Sequence, residues 1–340
     1  MKKIALITGS AGFIGYHLAN HLLNSDWQII GLDAFTNYYD VNLKTDRHKL
    51  LLKNKNFQGF VGSILNTDLL EKIYSKYEPS VIIHLAAQAG VRYSIENPNS
   101  YLETNITGTF NILELTRKFV PEHLLIASTS SVYGSNMIMP FDEKQKCDTQ
   151  MSFYAATKKS NEIMAHSYSH LYKIPLTIFR FFTVYGPWGR PDMALFKFTK
   201  NILSGKPIEI YNYGKMKRDF TNIYDLVEAI KLLISKKPPL LNDRKIKLDN
   251  DSLSDVAPYR IINIGNSTPI NLMDYILELE NALGITAKKN YLGMQDGDVA
   301  ATSSNTNLLF NLTGFRPQKK INQGILEFVN WYKSYYKINS

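Results

Sequence analysis

The chain has 340 residues, 44% of them apolar, which is enough for one large or two ordinary domains with a hydrophobic core. Its formal charge of +9 comes from 39 basic and 30 acidic residues, but the basic residues are scattered, which disfavours nucleic-acid binding. The single cysteine, Cys147, excludes an internal disulfide, no zinc-like Cys/His spacing occurs, and no segment approaches the roughly 20 apolar residues of a membrane span. We therefore expect a globular cytoplasmic protein that binds neither metal, membrane nor nucleic acid.

Short apolar runs alternate with amphipathic stretches over the first 180 residues, namely KIALIT, QIIGLD, FQGFVG, SVIIHLAA, HLLIAS and PLTIFRFF. This alternation predicts an α/β fold, a doubly wound parallel sheet over residues 1–180. Beyond residue 180 the predicted helices and strands become shorter and no longer alternate regularly. They predict a smaller mixed α/β domain made of 181–221 and 258–340, with a helix at about 222–240 that returns to the sheet. The polar stretch 236–258 is predicted to be an exposed loop.

A glycine motif follows the first apolar run. In TGSAGFIGYHLANHLL, Gly9, Gly12 and Gly15 lie where a strand becomes a helix, the arrangement that brings a pyrophosphate close to the backbone and to a helix N-terminus. The second run ends in Asp33, where a carboxylate accepts hydrogen bonds from an adenosine ribose and repels a 2′-phosphate. The motif predicts a dinucleotide site that takes NAD rather than NADP.

Hydroxyl groups and a tyrosine–lysine pair follow the fifth run. HLLIAS leads directly into Thr129, Ser130 and Ser131, which bring no charge to the strand end. In YAATK, Tyr154 and Lys158 are spaced i and i+4, so they share one face of a predicted helix. A lysine ammonium and the positive charge of a bound nicotinamide would both favour the tyrosine phenolate, which can then act as the base in a hydride transfer.

Longer motifs show a more specific resemblance. The chain resembles the extended short-chain dehydrogenase/reductases and, within them, the UDP-glucuronate 4-epimerases of the NAD-dependent epimerase/dehydratase family. The motifs that carry this resemblance over nearly the whole chain are GSAGFIGYHLA, LDAFTNYYDVNLK, HLAAQAGVRYSIENPNSYLETNITGT, YAATKKSNEIMAHSYSHLY, RFFTVYGPWGRPDMALFKFT and NYGKMKRDFT.

The resemblance implies three sets of site residues. The catalytic residues would be Thr129, Tyr154 and Lys158. The NAD-binding residues would be Gly9, Gly12, Phe13, Ile14, Asp33, Ser63, Ile64, Leu85, Ala86, Ala87, Gln88, Asn105, Ser128, Tyr154, Lys158 and Phe181. The residues that bind a UDP-sugar would be Arg92, Thr129, Ser130, Ser131, Thr183, Arg190, Tyr211, Arg218 and Asp298.

Individual roles follow from the same resemblance. Arg218 falls on the phosphate-binding arginine of the family, Tyr211 on the position that lies against the uracil, and Asp298 on a ribose-binding position. Arg92 either approaches the sugar or the phosphates, or braces its own loop through an ion pair. Ser63 departs from the family, which usually has an aspartate there that accepts a hydrogen bond from adenine.

The hydroxyls indicate the substrate. A carboxylate near Thr129 would repel a uronate, whereas Ser130 and Ser131 can donate hydrogen bonds to it. Thr183 and the nearby cation Arg190 fit the same sugar carboxylate. Our hypothesis is that Ser130, Ser131 and Thr183 hold this carboxylate away from the alignment in which the 4-keto intermediate would lose carbon dioxide.

The implied activity is NAD-dependent 4-epimerisation of UDP-glucuronate to UDP-galacturonate through a 4-keto intermediate. Two alternatives from related enzymes stay open, an epimerase of neutral UDP-sugars (UDP-glucose or UDP-N-acetylglucosamine) and a UDP-glucuronate decarboxylase. A third, a catalytically idle NAD-binding regulator, is opposed by the presence of both Tyr154 and Lys158. The resemblance also implies a homodimer formed through two helices of each subunit.

Overall fold

The computed structural model describes residues 3–244 and 250–338. Residues 1–2, 245–249 and 339–340, which the sequence assigns to the predicted domains and loop, lie outside the described residues. The strands are β1 Lys3–Thr8, β2 Trp27–Asp33, β3 Phe57–Val61, β4 Val81–His84, β5 His123–Thr129, β6 Leu176–Phe181, β7 Thr183–Tyr185, β8 Ile208–Ile210, β9 Lys217–Asn222, β10 Tyr259–Ile264, β11 Pro269–Asn271 and β12 Lys289–Tyr291.

The α-helices are α1 Phe13–Leu23, α2 Val41–Leu52, α3 Thr67–Tyr77, α4 Tyr93–Glu96, α5 Pro98–Tyr101, α6 Gly108–Lys118, α7 Phe153–Tyr172, α8 Ala194–Leu203, α9 Ile223–Ile234, α10 Leu272–Leu283, α11 Asn307–Thr313 and α12 Ile321–Tyr335. A π-helical segment covers Leu102–Thr107, and 3₁₀ turns cover Ser130–Tyr133, Tyr211–Gly214 and Leu241–Asp243.

A seven-stranded parallel sheet with the order β10-β6-β5-β4-β1-β2-β3 forms the centre of the described chain. The strand order reverses between β1 and β4, and ligands of such sheets bind outside the carboxyl ends of the strands at this switch point. The predicted doubly wound α/β fold is confirmed. The ends of β1, β2, β4 and β5 therefore bring the glycine motif, Asp33 and the hydroxyls to one edge.

Both faces of this sheet are buried, which explains why its strands are continuous apolar runs. Successive residues of β1 illustrate this: Ile7 belongs to the cluster under α1 and α9, and Leu6 belongs to the cluster under α3, α6 and α7. Leu18 of α1 and Ile230 of α9 are fully buried in the first cluster. The helix predicted to return to the sheet near residue 222 is α9, which packs against α1.

Smaller sheets and a separate aromatic core follow the main sheet. The strands β11, β9 and β7 form one sheet, and β12 pairs with β8 in another. Phe220 of β9 stacks on Tyr275 of α10 with ring centroids 4.1 Å apart, and Phe328 of α12 joins the same cluster. The boundaries of the predicted smaller domain stay a prediction.

The segment after residue 250 differs from the sequence-based expectation in two ways. Tyr259–Ile264 was expected in the smaller domain, but it pairs in parallel with β6 as the edge strand of the main sheet. Residues 236–244 are mostly exposed, as predicted for a loop, whereas Asp251 is 2% exposed. Its carboxylate accepts from Nε and Nη2 of Arg260 at 2.9 and 3.0 Å, which holds the end of the loop against β10.

None of the helices within 3–244 and 250–338 has the length and apolarity needed to cross a bilayer. In the same ranges, no three or more His, Cys, Asp or Glu side chains are grouped in a way that could hold a metal ion.

Candidate active site

The glycine motif forms a tight turn at the end of β1. Gly9 has a φ of 75°, and a Cβ there would lie 2.8 Å from the backbone nitrogen of Ala86. A Cβ on Gly15 would lie only 2.0 Å from the carbonyl oxygen of Gly9, so this position has room for glycine alone. The turn thus lets the backbone pass close to the segment after β4, and α1 begins directly after β1, at the strand-to-helix position that the sequence predicts.

The N-terminus of α1 is suited to an anion. Gly12 stands at its N-cap position with an extended backbone, no side chain caps the helix, and its first turn has no acidic residue. The backbone N–H groups of Phe13 and Ile14 therefore have no side-chain acceptor in the described residues, and the helix dipole adds partial positive charge. This terminus fits the pyrophosphate of a dinucleotide.

Asp33 lies beside this turn, at the end of β2. Its Oδ2 accepts from the backbone nitrogen of Ala11 and its Oδ1 from that of Phe35, both at 2.9 Å. Each carboxylate oxygen keeps a lone pair for a ribose hydroxyl.

Ser63 follows β3, and its Oγ accepts from the backbone nitrogen of Leu65 at 3.1 Å. The serine hydroxyl therefore begins a turn, and it leaves its own proton for another acceptor.

The segment after β4 is held by one asparagine. Asn105, which is fully buried in the π-helical segment, accepts from the backbone nitrogen of Gln88 at 2.8 Å. Its amide donates to the carbonyl of Gln88 and to Oγ1 of Thr157, both at 3.0 Å. These bonds fix Leu85–Gln88 against α7. The other predicted cofactor residues lie at strand ends, Ile64 after β3, Ser128 in β5 and Phe181 at the end of β6.

The predicted catalytic residues meet between β5 and α7. Helix α7 begins at Phe153, where Oγ of Ser152 accepts from the backbone nitrogen of Ala155 at 3.2 Å. This places Tyr154 in the first turn, where the hydroxyl of Thr129 is near enough to influence the pKa of the tyrosine. Lys158, one turn later, is buried.

The two ionisable side chains have shifted pKa values. Burial raises the pKa of Tyr154, whereas the hydrogen bond with Thr129 and the charge of Arg190 act in the opposite direction. The Nζ of Lys158 donates to the carbonyl of Ala127 at 2.9 Å, and burial lowers the pKa of Lys158 to about 8. In the protein without NAD, the net result is a raised pKa of Tyr154. The positive charge of a bound nicotinamide would act in the opposite direction, because it favours the phenolate.

Two of the three consecutive hydroxyls, those of Thr129 and Ser131, are hydrogen-bonded to each other at the end of β5. The Oγ1 of Thr129 donates to Oγ of Ser131 and accepts from the backbone nitrogen of Ser131, both at 3.2 Å. Ser130 and Ser131 begin the 3₁₀ turn and are half-buried. The hydroxyls next to Tyr154 are therefore mutually oriented donors with no charge.

Thr183 and Arg190 line one cleft. The Nε of Arg190 donates to Oδ1 of Asp192 at 3.0 Å, its Nη2 bonds to Oδ2, and the hydroxyl of Tyr38 donates to the same Oδ2 at 3.1 Å. Sequence reasoning identified Arg190 as a nearby cation and did not predict this pairing. One edge of the guanidinium is thus held by Asp192, and its charge is partly neutralised.

The predicted nucleotide contacts form a second cluster. The guanidinium of Arg92 lies 4.6 Å from the ring centroid of Tyr211, and its Nη2 is 3.5 Å from Oδ2 of Asp298. Arg218 donates to the carbonyl of Ala300 at 3.2 Å. Burial lowers the pKa of Arg218, and the nearby carboxylate of Asp298 acts in the opposite direction. Arg92 therefore forms an ion pair, and its partner is Asp298, which the resemblance also assigns to the UDP-sugar site.

Sequence reasoning also missed Glu162, which lies behind the catalytic pair. Its carboxylate accepts from Oγ of Ser128 at 2.7 Å and from two nitrogens of Arg180. The signal was available, since Glu162 is spaced i+4 from Lys158 on the same helix.

The geometry of this site is typical of dinucleotide-dependent enzymes of the short-chain dehydrogenase type. Comparison with known proteins indicates the same class. Residues 5–246 match the NAD dependent epimerase/dehydratase family. The chain is 51% identical over 332 residues to protein CapI of Staphylococcus aureus, covering 98% of this chain and 99% of that protein. It is 50% identical over 333 residues to a probable UDP-glucuronate 4-epimerase of Rhizobium meliloti, covering 98% and 97%.

Among solved structures, the chain is similar to UDP-glucuronic acid 4-epimerase from Bacillus cereus in complex with UDP-glucuronic acid and NAD. The TM-score is 0.87 at 33% identity, with 98% of this chain and 100% of that chain covered. The chain belongs to the NAD-dependent epimerase/dehydratase family. This membership confirms the predicted family and NAD as the cofactor, while the roles of the individual site residues stay predictions.

Proposed function

We propose that the protein is an NAD-dependent 4-epimerase that interconverts UDP-glucuronate and UDP-galacturonate. The observation that carries this proposal is the set of uncharged hydroxyls at the end of β5, in which Thr129 and Ser131 are bonded to each other and Ser130 lies between them, so that a sugar acid meets hydrogen-bond donors and no negative charge. The similarity to the proteins of Rhizobium meliloti and Bacillus cereus supports the same activity.

The glycine turn, the N-terminus of α1 and Asp33 would hold NAD, since they offer amide donors to its pyrophosphate and a carboxylate to its ribose. NAD, when bound, supplies a hydride acceptor that is regenerated in each turnover, so the reaction has no net redox change.

The residues around the sugar have separate tasks in this reaction. Tyr154 takes the proton of the 4-hydroxyl and returns it after the 4-keto sugar has turned over, and Thr129 orients both oxygens. Lys158, anchored on the carbonyl of Ala127, supplies positive charge beside the phenolate.

The nucleotide is held by the second cluster, in which Arg218 and Arg92 provide positive charge for the diphosphate and Tyr211 provides a ring face for the uracil. An anchored nucleotide leaves the hexose free to rotate and to present either face of carbon 4.

One observation favours a second function, an epimerase of neutral UDP-sugars. Because Asp192 already pairs with Arg190, the cleft has less free positive charge than a dedicated carboxylate site would need. Parallel incubation with UDP-glucuronate, UDP-glucose and UDP-N-acetylglucosamine, followed by chromatographic separation of the products, distinguishes the two functions. Turnover of the neutral sugars alone would reject the first.

We also propose that the protein is a cytoplasmic homodimer, in line with its single cysteine and with apolar side chains on α6 and α7. Phe110, Ile163 and Leu171 of these helices are 43%, 61% and 60% exposed. Packing of these helices against a second copy would remove this surface from water. Light scattering after size exclusion should give twice the chain mass, and Ile163→Asp should lower it.

A further inference from the structure

A buried ion pair lies directly behind the proposed catalytic residues. Glu162 of α7 is 2% exposed and Arg180 of β6 is 1% exposed. The Nε and Nη2 of Arg180 donate to the two oxygens of the Glu162 carboxylate at 2.9 and 2.8 Å. This bidentate geometry keeps the carboxylate ionised inside the protein.

The carboxylate of Glu162 is also bonded to β5, the strand that carries the proposed catalytic hydroxyl of Thr129. The Oγ of Ser128 donates to Oε1 of Glu162 at 2.7 Å, and Ser128 is the register partner of Arg180 on the neighbouring strand. Ser128 stands between Ala127, whose carbonyl accepts from Lys158, and Thr129. Glu162 therefore fixes the end of β5 relative to the helix that carries Tyr154 and Lys158.

Glu162 also supplies negative charge near Lys158. Burial lowers the pKa of Lys158 to about 8, and the carboxylate of Glu162 acts in the opposite direction. The other titratable or charged groups that face Lys158, Glu162 or Arg180 from the packed elements are Tyr154, Lys159, His84, Tyr133, Glu143, Cys147 and Tyr259.

Four of these neighbours carry no charge that could replace that of Glu162. Burial lowers the pKa of His84 to about 3 and raises the pKa of Tyr133, Cys147 and Tyr259, so these four groups are neutral near pH 7. Burial raises the pKa of Glu143 to about 7, and its carboxylate accepts from the backbone nitrogen of Asn263 on β10.

We propose that Glu162 is a positioning residue for the tyrosine–lysine pair: through Ser128, its carboxylate holds the strand end that anchors Lys158 on the carbonyl of Ala127 and that carries Thr129. The proposal rests on the proposed function, because it assigns Glu162 a task in that reaction. Glu162 itself does not touch the sugar or the cofactor in this account.

The test compares Glu162→Gln with Asp251→Asn. The glutamine keeps the volume of Glu162 and an acceptor for Ser128 but loses the charge. Asp251 and Arg260 form an equally buried bidentate pair at 2.9 and 3.0 Å, away from the active site. Both variants leave a buried guanidinium unpaired, so both should lose a similar amount of stability against urea. Only Glu162→Gln should change the pH dependence of the reaction.

The expected result is a displaced pH profile. In Glu162→Gln the alkaline limb of kcat for UDP-glucuronate should move to lower pH by about one unit, because Lys158 loses its proton more easily without a neighbouring carboxylate. Asp251→Asn should keep the wild-type limb. Glu162→Asp, which retains the charge, should restore it. Ser128→Ala should lower kcat without moving the limb.

A second measurement does not depend on turnover. Pulse labelling with acetic anhydride at several pH values, read by mass spectrometry, gives the pKa of Lys158, which should fall in Glu162→Gln. If Glu162→Gln and Asp251→Asn share one profile and one labelling curve, the proposal is overturned. If the wild type does not epimerise UDP-glucuronate, the proposed function fails, and the labelling still decides whether Glu162 keeps Lys158 protonated.

A folding failure of Glu162→Gln leaves the proposal testable. The double variant Glu162→Gln, Arg180→Met removes both members of the pair and so leaves no unpaired charge in the interior. A lowered limb and earlier labelling of Lys158 are expected, both smaller than in Glu162→Gln because the positive charge of Arg180 is lost as well, and wild-type values for both in this variant would refute the proposal.

Discussion

Replacing Thr129 by valine removes one hydroxyl and little volume at the centre of the proposed reaction. The hydroxyl lowers the pKa of Tyr154 and accepts from the backbone nitrogen of Ser131 at 3.2 Å, and in the proposed reaction it bonds with the tyrosine oxygen. A hydrogen bond to a charged group contributes about 1.5–3 kcal/mol. Since each 1.36 kcal/mol is a factor of about ten in rate, kcat should fall about ten- to hundredfold. The lost acceptor for Ser131 should cost about 1 kcal/mol of unfolding free energy.

The pH dependence should change in a defined direction. The hydrogen bond with Thr129 lowers the pKa of Tyr154, so its loss raises that pKa further. The phenolate then forms only at higher pH, and the acid limb of kcat should move upward. The assay measures UDP-galacturonate formed from UDP-glucuronate by anion-exchange chromatography between about pH 6 and 10. Thr129→Ser keeps the hydroxyl and serves as the control.

The reasoning would be refuted by Thr129→Val with kcat within about twofold of the Thr129→Ser control and an acid limb at the same pH. That result would mean that Tyr154 exchanges its proton without help from Thr129.

Three further predictions concern specificity, nucleotide binding and acid stability. Thr183→Ala should produce a UDP-pentose by-product, seen by mass spectrometry, and its absence counts against Thr183 as a restraint on the carboxylate. Arg92→Ala should raise KM for UDP-glucuronate roughly tenfold, as expected for a lost charged contact. Because this side chain is 46% exposed, the unfolding free energy should stay within about 0.5 kcal/mol. Burial lowers the pKa of His17, His84 and His123 to about 4, 3 and 4, below the ordinary 6.5. The unfolded chain therefore binds more protons below pH 6.5, and the urea midpoint should fall from pH 7 to pH 5. His123→Gln should flatten this slope, and an unchanged slope would contradict the assignment.

The elements of the main sheet could be predicted because their signal is local. A strand buried on both faces is apolar at every position, and a glycine turn or an i, i+4 pair is visible within a few residues. For this reason β1 to β6, the turn at Gly9 and the helix that carries Tyr154 and Lys158 are where the sequence indicates.

Strand β10, which completes the seven-stranded sheet, was not recognised in the sequence because it contains polar residues. Arg260 and Asn263 of β10 are buried, which the apolar pattern of a core strand does not anticipate. The structure satisfies them from distant segments: Asp251 pairs with Arg260, and the hydroxyl of Tyr133 donates to Oδ1 of Asn263 at 2.7 Å. A strand of this kind is stable only when those partners are already in place.

By itself the sequence determined the class of fold, the cofactor and which side chains are available for chemistry, since these follow from short patterns. Only the tertiary structure decided how those side chains pair. Arg92 meets Asp298, 206 positions away, and Asp192, which holds the fork of Arg190, accepts from the hydroxyl of Tyr38 in another part of the chain. A charge acts over ångströms in space, whatever the separation in sequence, so the state of each ionisable group depends on contacts that no local pattern contains.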